Sequence, residues 1–243
     1  MKPSKTGAGR RGRRAPDGVR SLKTKVRTAK GRTVSSARWL ERQLNDPYVQ
    51  AAKRAGYRSR AAFKLLEIDD KYGLLGPGLQ VLDLGAAPGG WSQVAAERTG
   101  AATGKGRVLA IDLEALEPLP GVTSLQLDFM DENAPDRIQA LLPDGHVHVV
   151  LSDMAAPATG HKRTDHLRIM GLCEAALDLA EDVLAPGGAF LAKVLQGGTE
   201  DRLLTRMKQR FATVRHVKPK ASRADSSELY VLATGFRPET GES

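Results

Sequence analysis

Apolar runs alternate with amphipathic stretches over most of the chain, and this alternation predicts its architecture. Seven short runs are rich in apolar residues and end at turn residues, which is typical of strands buried within a sheet. These runs cover residues 79–84, 107–113, 122–127, 147–152, 189–194, 213–217 and 229–234. Helical patterns separate most of them, so we expect an α/β fold with a doubly wound, mostly parallel sheet. The last two runs have no helical pattern between them, which predicts a hairpin and hence one antiparallel strand.

Local signals predict where the helices begin and end. Asp46 followed by Pro47 is a typical helix start, because an aspartate caps free backbone amides and proline fits the first turn. Gly56 then predicts the end of this helix. The remaining helices are expected from about 59 to 73, over 91–98 and 164–185, and after residue 199.

Cys173 is the only cysteine and lies within the pattern of the long helix. Apolar residues recur around it at helical spacing, so we expect its thiol in the core. A single cysteine also argues against a disulfide framework and against a metal site built from cysteines.

The net charge of +9 is concentrated at one end of the chain. Residues 1–38 hold thirteen lysines and arginines and one acid, a net +12, so the rest of the chain carries −3. This basic segment has few apolar residues to offset its ordering entropy and is therefore expected to be disordered when free. Three roles are open: a solvated arm, an extension that binds the phosphates of RNA, and a transit peptide. We favour RNA contact over a solvated arm, because clusters of lysine and arginine displace condensed counterions from a phosphate backbone. The many glycines and prolines would make a poor amphipathic helix, which argues against a transit peptide.

Other segment types are not indicated. No apolar run reaches the ~20 residues that a membrane-spanning helix needs. The first residues also lack the apolar region of a secretory signal. We therefore expect a cytoplasmic protein without a membrane partner.

A glycine-rich turn follows the first predicted strand and leads into a helix. Small residues at Gly85 and Gly89 allow a ligand to approach the backbone, while the helix start at Trp91 favours an anion. Two anions are compatible with this loop: the pyrophosphate of a dinucleotide and the carboxylate of a methionine moiety. The motif Gly-x-Gly-x-x-Gly is absent and Pro88 lies inside the turn, which favours the second.

Acidic residues follow the next two strands. Asp112 ends the second strand, where a carboxylate can accept hydrogen bonds from ribose hydroxyls. Asp128 ends the third, where an acid can meet the amino group of an adenine. Either one alone could be a cap or turn residue. Together with the glycine loop they predict a nucleoside pocket.

Two acids and two lysines are expected at the same edge of the sheet. Asp153 closes the fourth strand and Lys193 the fifth, so they should face each other at the carboxyl edge, where ligands bind. Glu228 begins the last strand and reaches this edge if that strand is antiparallel. Lys64, on the helix before the sheet, can reach over it. Each residue alone has an ordinary surface role, but their convergence beside a cofactor loop indicates a catalytic site.

Residues 37–238 resemble the FtsJ/RlmE family of ribosomal RNA ribose methyltransferases. The resemblance rests on the motifs at 57–65 (YRSRAAFKL), 83–93 (DLGAAPGGWSQ), 152–155 (SDMA), 185–188 (APGG), 193–197 (KVLQG) and 226–230 (SSELY). The chain departs from the family pattern at residues 156–157 and at Gly198. The resemblance implies one Rossmann-like methyltransferase domain at 37–238, between a basic extension at 1–36 and a short tail at 239–243.

The resemblance also implies a site and a reaction. The cofactor would be S-adenosylmethionine, bound by Gly85, Gly89, Trp91, Asp112, Asp128 and Asp153, and no metal would be required. The catalytic tetrad would be Lys64, Asp153, Lys193 and Glu228. Lys193 is the candidate general base, the two acids would orient the lysines, and Lys64 would hold the ribose or stabilise its developing alkoxide.

The implied substrate is a uridine in the A-loop of the large-subunit RNA, methylated on the assembled subunit by a monomeric enzyme. We expect RNA contacts at Arg58, Arg60, Lys162, Arg163 and Arg223, and mainly phosphate and shape recognition, because few aromatic residues are available for stacking. A related enzyme acting on a transfer RNA anticodon loop, or on another ribosomal ribose, would use the same tetrad. A non-enzymatic RNA-binding module is a further alternative, against which the complete tetrad argues.

Overall fold

A computed structural model describes residues 40–41, 43–157, 159–196 and 201–239, and the predicted basic extension lies outside these residues. Within the described residues, seven strands form one sheet in the order β3-β2-β1-β4-β5-β7-β6. The strands are β1 (Gln80–Leu84), β2 (Arg107–Asp112), β3 (Val122–Gln126), β4 (Val147–Ser152), β5 (Leu184–Leu195), β6 (Phe211–Val217) and β7 (Glu228–Phe236). β7 pairs antiparallel with both β5 and β6, while β1 to β5 are parallel to one another. The predicted sheet and its single antiparallel strand are confirmed.

Helices cover both faces of this sheet. They are α1 (Pro47–Ala55), α2 (Ala62–Tyr72), α3 (Gly90–Thr99), α4 (Ala134–Gln139), α5 (Lys162–Val183) and α6 (Asp201–Arg210). α2 and α3 pack on one face, and α4, α5 and α6 on the other. Among the described residues, none of the helices combines the length and the apolar character needed to cross a membrane.

The strand order reverses direction between β1 and β4. The chain runs outward from β1 through β2 to β3 and then returns to place β4 on the other side of β1. The crevice outside the carboxyl ends of two such strands is where doubly wound sheets bind their ligands. The end of β1 is the glycine-rich turn and the end of β4 is Asp153, so topology directs both to this crevice.

The first two helices show where local signals succeed and where tertiary contacts override them. α1 begins and ends as predicted: Asp46 accepts a 3.0 Å hydrogen bond from the backbone of Tyr48, and Gly56 has a φ of 78°. α2 begins at Ala62 rather than near residue 59. The residues before it form a turn whose backbone is tied to α3, since the Arg58 amide donates to the Gln93 side chain at 2.7 Å.

Two other elements differ from the prediction. The predicted break at 185–188 lies inside β5. The register of β5 against β4 is irregular at this point, and Gly187 has a φ of 81°. Helix α4 was not predicted, because its six residues are too few to show a helical period.

Cys173 lies in the core, as predicted. Its side chain is 1% exposed within the cluster that α5 forms with the sheet. Burial raises the pKa of its thiol to about 12, so the thiol remains protonated at physiological pH.

Candidate active site

The turn after β1 brings the backbone close to the residue that follows Asp153. Gly85 has a φ of 73°, and a Cβ atom at this position would lie 2.7 Å from Cγ of Met154. Gly89, with a φ of 106°, comes directly before the first residue of α3. The small residues thus leave a shallow backbone surface beside a helix N-terminus, which favours an anionic group.

Asp112 holds this loop in place. Its Oδ2 accepts a 2.8 Å hydrogen bond from the amide of Ala87, and its Oδ1 accepts one of 2.9 Å from the amide of Glu114. Because each carboxylate oxygen has two lone pairs, both keep accepting capacity for ribose hydroxyls. Asp112 therefore connects the glycine loop to the segment that follows β2.

The other predicted nucleoside acid lies slightly beyond its strand. β3 ends at Gln126, and Asp128 follows two residues later as an exposed residue. Its Oδ1 accepts a 2.9 Å hydrogen bond from the amide of Met130, so it shapes the turn. The prediction that Asp128 ends the strand is wrong by two residues, while its place at the carboxyl edge agrees with the prediction.

A third carboxylate lies beneath the loop. Asp83, in β1, is fully buried, and its Oδ2 accepts a 2.6 Å hydrogen bond from the Ser92 hydroxyl. Its Oδ1 is buried and accepts no hydrogen bond from the residues that the structure describes. Burial, reinforced by the charges of Asp153 and Asp112, raises the pKa of Asp83 to about 7 although Ser92 opposes the shift.

These features fit a ligand that combines a carboxylate, a positive charge and a nucleoside. The helix start suits the carboxylate, the acids around the loop suit the cation, and Asp112 suits a ribose. S-adenosylmethionine has all three groups.

Trp91 connects the cofactor loop to α2. Its indole is 2% exposed, donates a 2.9 Å hydrogen bond to the carbonyl of Ala61, and lies 5.5 Å from the ring of Tyr230. Trp91 therefore lies at the base of the site, and its predicted contact with the cofactor stays a prediction.

Two lysine–carboxylate pairs meet at the carboxyl edge. Nζ of Lys193 lies 2.8 Å from Oδ1 of Asp153 and also donates to its carbonyl at 2.7 Å. Nζ of Lys64 lies 2.7 Å from Oε1 of Glu228. All four side chains are between 8% and 17% exposed, so both pairs are largely shielded from water but open to a substrate.

Tyr230 joins the two pairs. Its hydroxyl donates to Oδ1 of Asp153 at 2.8 Å and accepts from Nζ of Lys64 at 3.0 Å. Burial, followed by the charges of Asp153 and Glu228, raises the pKa of Tyr230 well above its usual value, so the hydroxyl keeps its proton. We did not predict this residue. The signal was its position two residues after Glu228, because alternate residues of a strand lie on the same face.

Glu228 is ionised within this cluster. Burial acts to raise the pKa of its carboxyl, but the charge and hydrogen bond of Lys64, helped by Lys193 and Ser222, outweigh burial and lower the pKa below its usual value. Ser222 donates a 2.9 Å hydrogen bond to Oε1 of Glu228. The connection between β6 and β7 thus reaches the tetrad.

Two of the predicted RNA-contact residues share one acid beside this connection. Nε of Arg60 lies 3.0 Å from Oδ2 of Asp46, and Nη2 of Arg223 lies 3.4 Å from the same oxygen. Arg60 also donates to the carbonyl of Ala221, next to Ser222. The two guanidinium groups therefore lie side by side on Asp46, and Glu67 is also close, since its Oε2 accepts a 3.1 Å hydrogen bond from the amide of Ala221.

The other predicted RNA-contact residues lie on different elements. Arg163 is exposed in the first turn of α5, and Lys162 begins that helix. The Arg58 guanidinium instead donates to backbone carbonyls next to the cofactor loop. RNA binding by all five residues stays a prediction.

Comparisons with known proteins agree with this geometry. The profile described as FtsJ-like methyltransferase matches residues 57–236. Two proteins named ribosomal RNA large subunit methyltransferase E are each 62% identical to the chain. The one from Parvibaculum lavamentivorans aligns over 96% of this chain and 94% of its own length, and the one from Xanthobacter autotrophicus over 93% and 88%.

A solved structure shows the same architecture. It is described as a ribosomal RNA methyltransferase of Plasmodium falciparum and is 33% identical, with a TM-score of 0.66 over 74% of this chain and 98% of its own. The chain therefore belongs to the FtsJ-like methyltransferase family, and its methyl donor is S-adenosylmethionine.

Proposed function

We propose that the chain methylates the ribose 2′-hydroxyl of a uridine in the A-loop of large-subunit ribosomal RNA. One observation carries the proposal: Lys64, Asp153, Lys193 and Glu228, from four different elements, converge beside the cofactor loop. A ribose hydroxyl needs a base and an in-line orientation, and this cluster offers both.

Lys193 is proposed as the general base. S-adenosylmethionine would supply a methyl group bonded to a sulfonium sulfur. The bond between sulfur and methyl would break, and the sulfur would leave as a neutral thioether. The amine of Lys193, in its neutral form, accepts the proton of the 2′-hydroxyl while the oxygen forms its bond to the methyl carbon. The proton ends on Lys193, where the carboxylate of Asp153 at 2.8 Å stabilises the ammonium.

Lys64 is proposed to stabilise the charge that develops on the ribose oxygen. Its ammonium is fixed by Glu228 at 2.7 Å and by the Tyr230 hydroxyl at 3.0 Å, so it needs no reorganisation during the reaction. A preorganised cation in a shielded site stabilises such a charge more than water does. Glu228 and Tyr230 then act as positioning residues for Lys64.

The two arginines on Asp46 are proposed to hold a phosphate next to the target ribose. Both guanidinium groups converge on one carboxylate, so their donors lie side by side where a phosphate could accept from both. The link from Arg60 through Ala221 and Ser222 to Glu228 places them beside the tetrad. Arg163 and Lys162 would extend phosphate contact along the start of α5.

The substrate is proposed from the relatives and from charge. The two curated relatives are named for the RNA of the large subunit, and they align over most of the chain. A folded ribosomal particle presents RNA of fixed shape with exposed phosphates, and an enzyme with few aromatic residues can recognise both features. We therefore propose the assembled large subunit as substrate and the cytoplasm as the place of action.

The test is methyl transfer from labelled S-adenosylmethionine to purified large subunits, small subunits and transfer RNA in parallel. We expect label in large subunits only, on one uridine, as a ribose 2′-O-methyl group. Lys193→Ala protein is the matched control and should transfer the label at least ~10²-fold more slowly. Label in transfer RNA or at another ribosomal position would replace the proposed substrate, and label on a base would contradict the proposed chemistry.

A further inference from the structure

The turn that precedes α2 is fixed to the first helix of the cofactor site. The Gln93 side chain accepts from the amide of Arg58 at 2.7 Å and donates to the carbonyl of Gly56 at 3.0 Å. Gln93 is the fourth residue of α3, in the turn directly after the glycine loop. The backbone of Arg58 therefore has a fixed position relative to that loop.

From this anchored position the Arg58 guanidinium spans two separate segments. Nη1 donates to the carbonyl of Pro88 at 3.2 Å and to that of Glu117 at 2.7 Å, and Nη2 donates to that of Pro118 at 2.8 Å. Pro88 belongs to the glycine loop. Glu117 and Pro118 belong to the segment that follows β2 and Asp112. These two segments flank the proposed positions of the methionine moiety and the ribose.

Gly89 leaves room for this contact. A Cβ atom at Gly89 would lie 2.9 Å from Cδ1 of Leu119 and 3.2 Å from Nη1 of Arg58. The absent side chain therefore lets both residues close over the loop. The Ala87–Asp112 hydrogen bond separately joins the glycine loop to the last residue of β2, just before that segment.

We infer that Arg58 is a positioning residue for S-adenosylmethionine. Its guanidinium holds the glycine loop and the segment at 113–120 at the separation that the cofactor needs. A planar guanidinium with five donors can bond several carbonyls at once, whereas a lysine ammonium is a point charge on a flexible stem. The guanidinium of Arg58 donates three hydrogen bonds to these carbonyls, so its charged group stabilises the two segments beside the cofactor. This inference differs from the prediction that Arg58 contacts RNA.

Calorimetric titration with S-adenosylhomocysteine, the demethylated product, tests the inference without RNA, so its outcome is independent of the nucleotide that is methylated. Arg58→Met should bind at least ~10-fold more weakly, about 1.4 kcal/mol, because the two segments lose the three hydrogen bonds that fix their separation. Arg58→Lys should bind with intermediate affinity. Arg54→Met, an exposed arginine four residues earlier, is the control and should bind like wild type.

A second readout separates positioning from RNA contact. The salt dependence of binding to large subunits should be unchanged in Arg58→Lys, and in Arg58→Met if it melts near the wild-type temperature. If Arg58→Met is unfolded at the assay temperature, Arg58→Lys decides, because it keeps the charge but loses the fork. Wild-type affinity of the folded variants for S-adenosylhomocysteine would overturn the inference, and a salt slope reduced by about one phosphate contact in Arg58→Met would assign the residue to RNA.

Discussion

The hydroxyl of Tyr230 donates a 2.8 Å hydrogen bond to the Asp153 oxygen that is also ion-paired with Lys193. The same hydroxyl accepts from Lys64, so a neutral side chain connects the proposed base to the proposed ribose-holding lysine. This bond crosses from β7 to the end of β4. It makes the geometry of the two ion pairs interdependent.

Removal of this hydroxyl should uncouple the two pairs. Tyr230→Phe keeps the buried ring but leaves Nζ of Lys64 and Oδ1 of Asp153 with one partner fewer, a cost of ~1–3 kcal/mol for buried polar groups. We expect single-turnover methyl transfer to fall at least ~5-fold, with affinity for S-adenosylhomocysteine near wild type. Tyr72→Phe, at the C-terminal end of α2, is the control. An unchanged transfer rate would show that the ion pairs hold their geometry without Tyr230.

Loss of the proposed base should abolish chemistry but spare the cofactor. A general base contributes ~10²–10⁴-fold, so Lys193→Ala should lose at least this factor in single-turnover transfer. Asp153→Ala should differ by weakening cofactor binding as well, since this carboxylate borders both the loop and the tetrad. The measurements are single-turnover rates of methyl transfer to large subunits and calorimetric affinities for S-adenosylhomocysteine, each for wild type and both variants. Near-normal transfer by Lys193→Ala would move the role of base to Lys64.

The buried Asp83 should make stability depend on pH. Folding raises the pKa of this carboxyl from 3.8 to about 7, so between these values the folded chain binds its proton more tightly than the unfolded chain. Its contribution to stability is therefore full below about pH 4, decreases by at most ~1.4 kcal/mol per pH unit towards pH 7, and is constant above. Urea unfolding of wild type and Asp83→Asn between pH 5 and 8 isolates this contribution. The stability difference between the two should fall with rising pH, and parallel curves would contradict the raised pKa.

The basic N-terminal segment should strengthen RNA binding without affecting the reaction. Residues 1–35 hold twelve lysines and arginines and none of the tetrad. Deletion should weaken binding to large subunits and flatten its dependence on salt, because fewer counterions are released. Turnover at saturating RNA should survive. A variant with all twelve cations changed to glutamine controls for the length of the segment. If both proteins show the wild-type dependence of RNA binding on salt, the segment is only a solubilising arm.

Most of the fold could be predicted because its signals are local. The strands and α1 are marked by apolar runs, by Asp46-Pro47 and by Gly56, all of which act within a few residues. The start of α2 was missed because a long-range contact decides it: Gln93 fixes the amide of Arg58 from a helix 35 residues later. The glycines at 187–188 predicted a break, and they lie at an irregularity inside β5, where pairing with β4 passes from Leu184 directly to Ala189.

The site could be predicted only in part, for a related reason. Strand ends are brought to one edge by topology, so Asp153, Lys193 and Glu228 could be grouped without coordinates. The partners of an arginine follow no such rule. Arg58, Arg60 and Arg223 have the same charge and lie in motifs flanking the tetrad, yet Arg58 donates to backbone carbonyls while the other two share Asp46. Only their surroundings in three dimensions distinguish them.

Because β7 is antiparallel, its two ends lie at opposite edges of the sheet, one at the proposed reactive edge and one away from it. This strand starts with Glu228 at the reactive edge and ends with Phe236 at the opposite edge, whereas Asp46, at the beginning of α1, lies beside Arg60 and Arg223. A protein attached to a solid support at residue 236 would therefore leave its reactive edge open to the proposed substrate. Attachment at residue 46 would place the carrier beside Arg60 and Arg223, where we propose that the RNA binds.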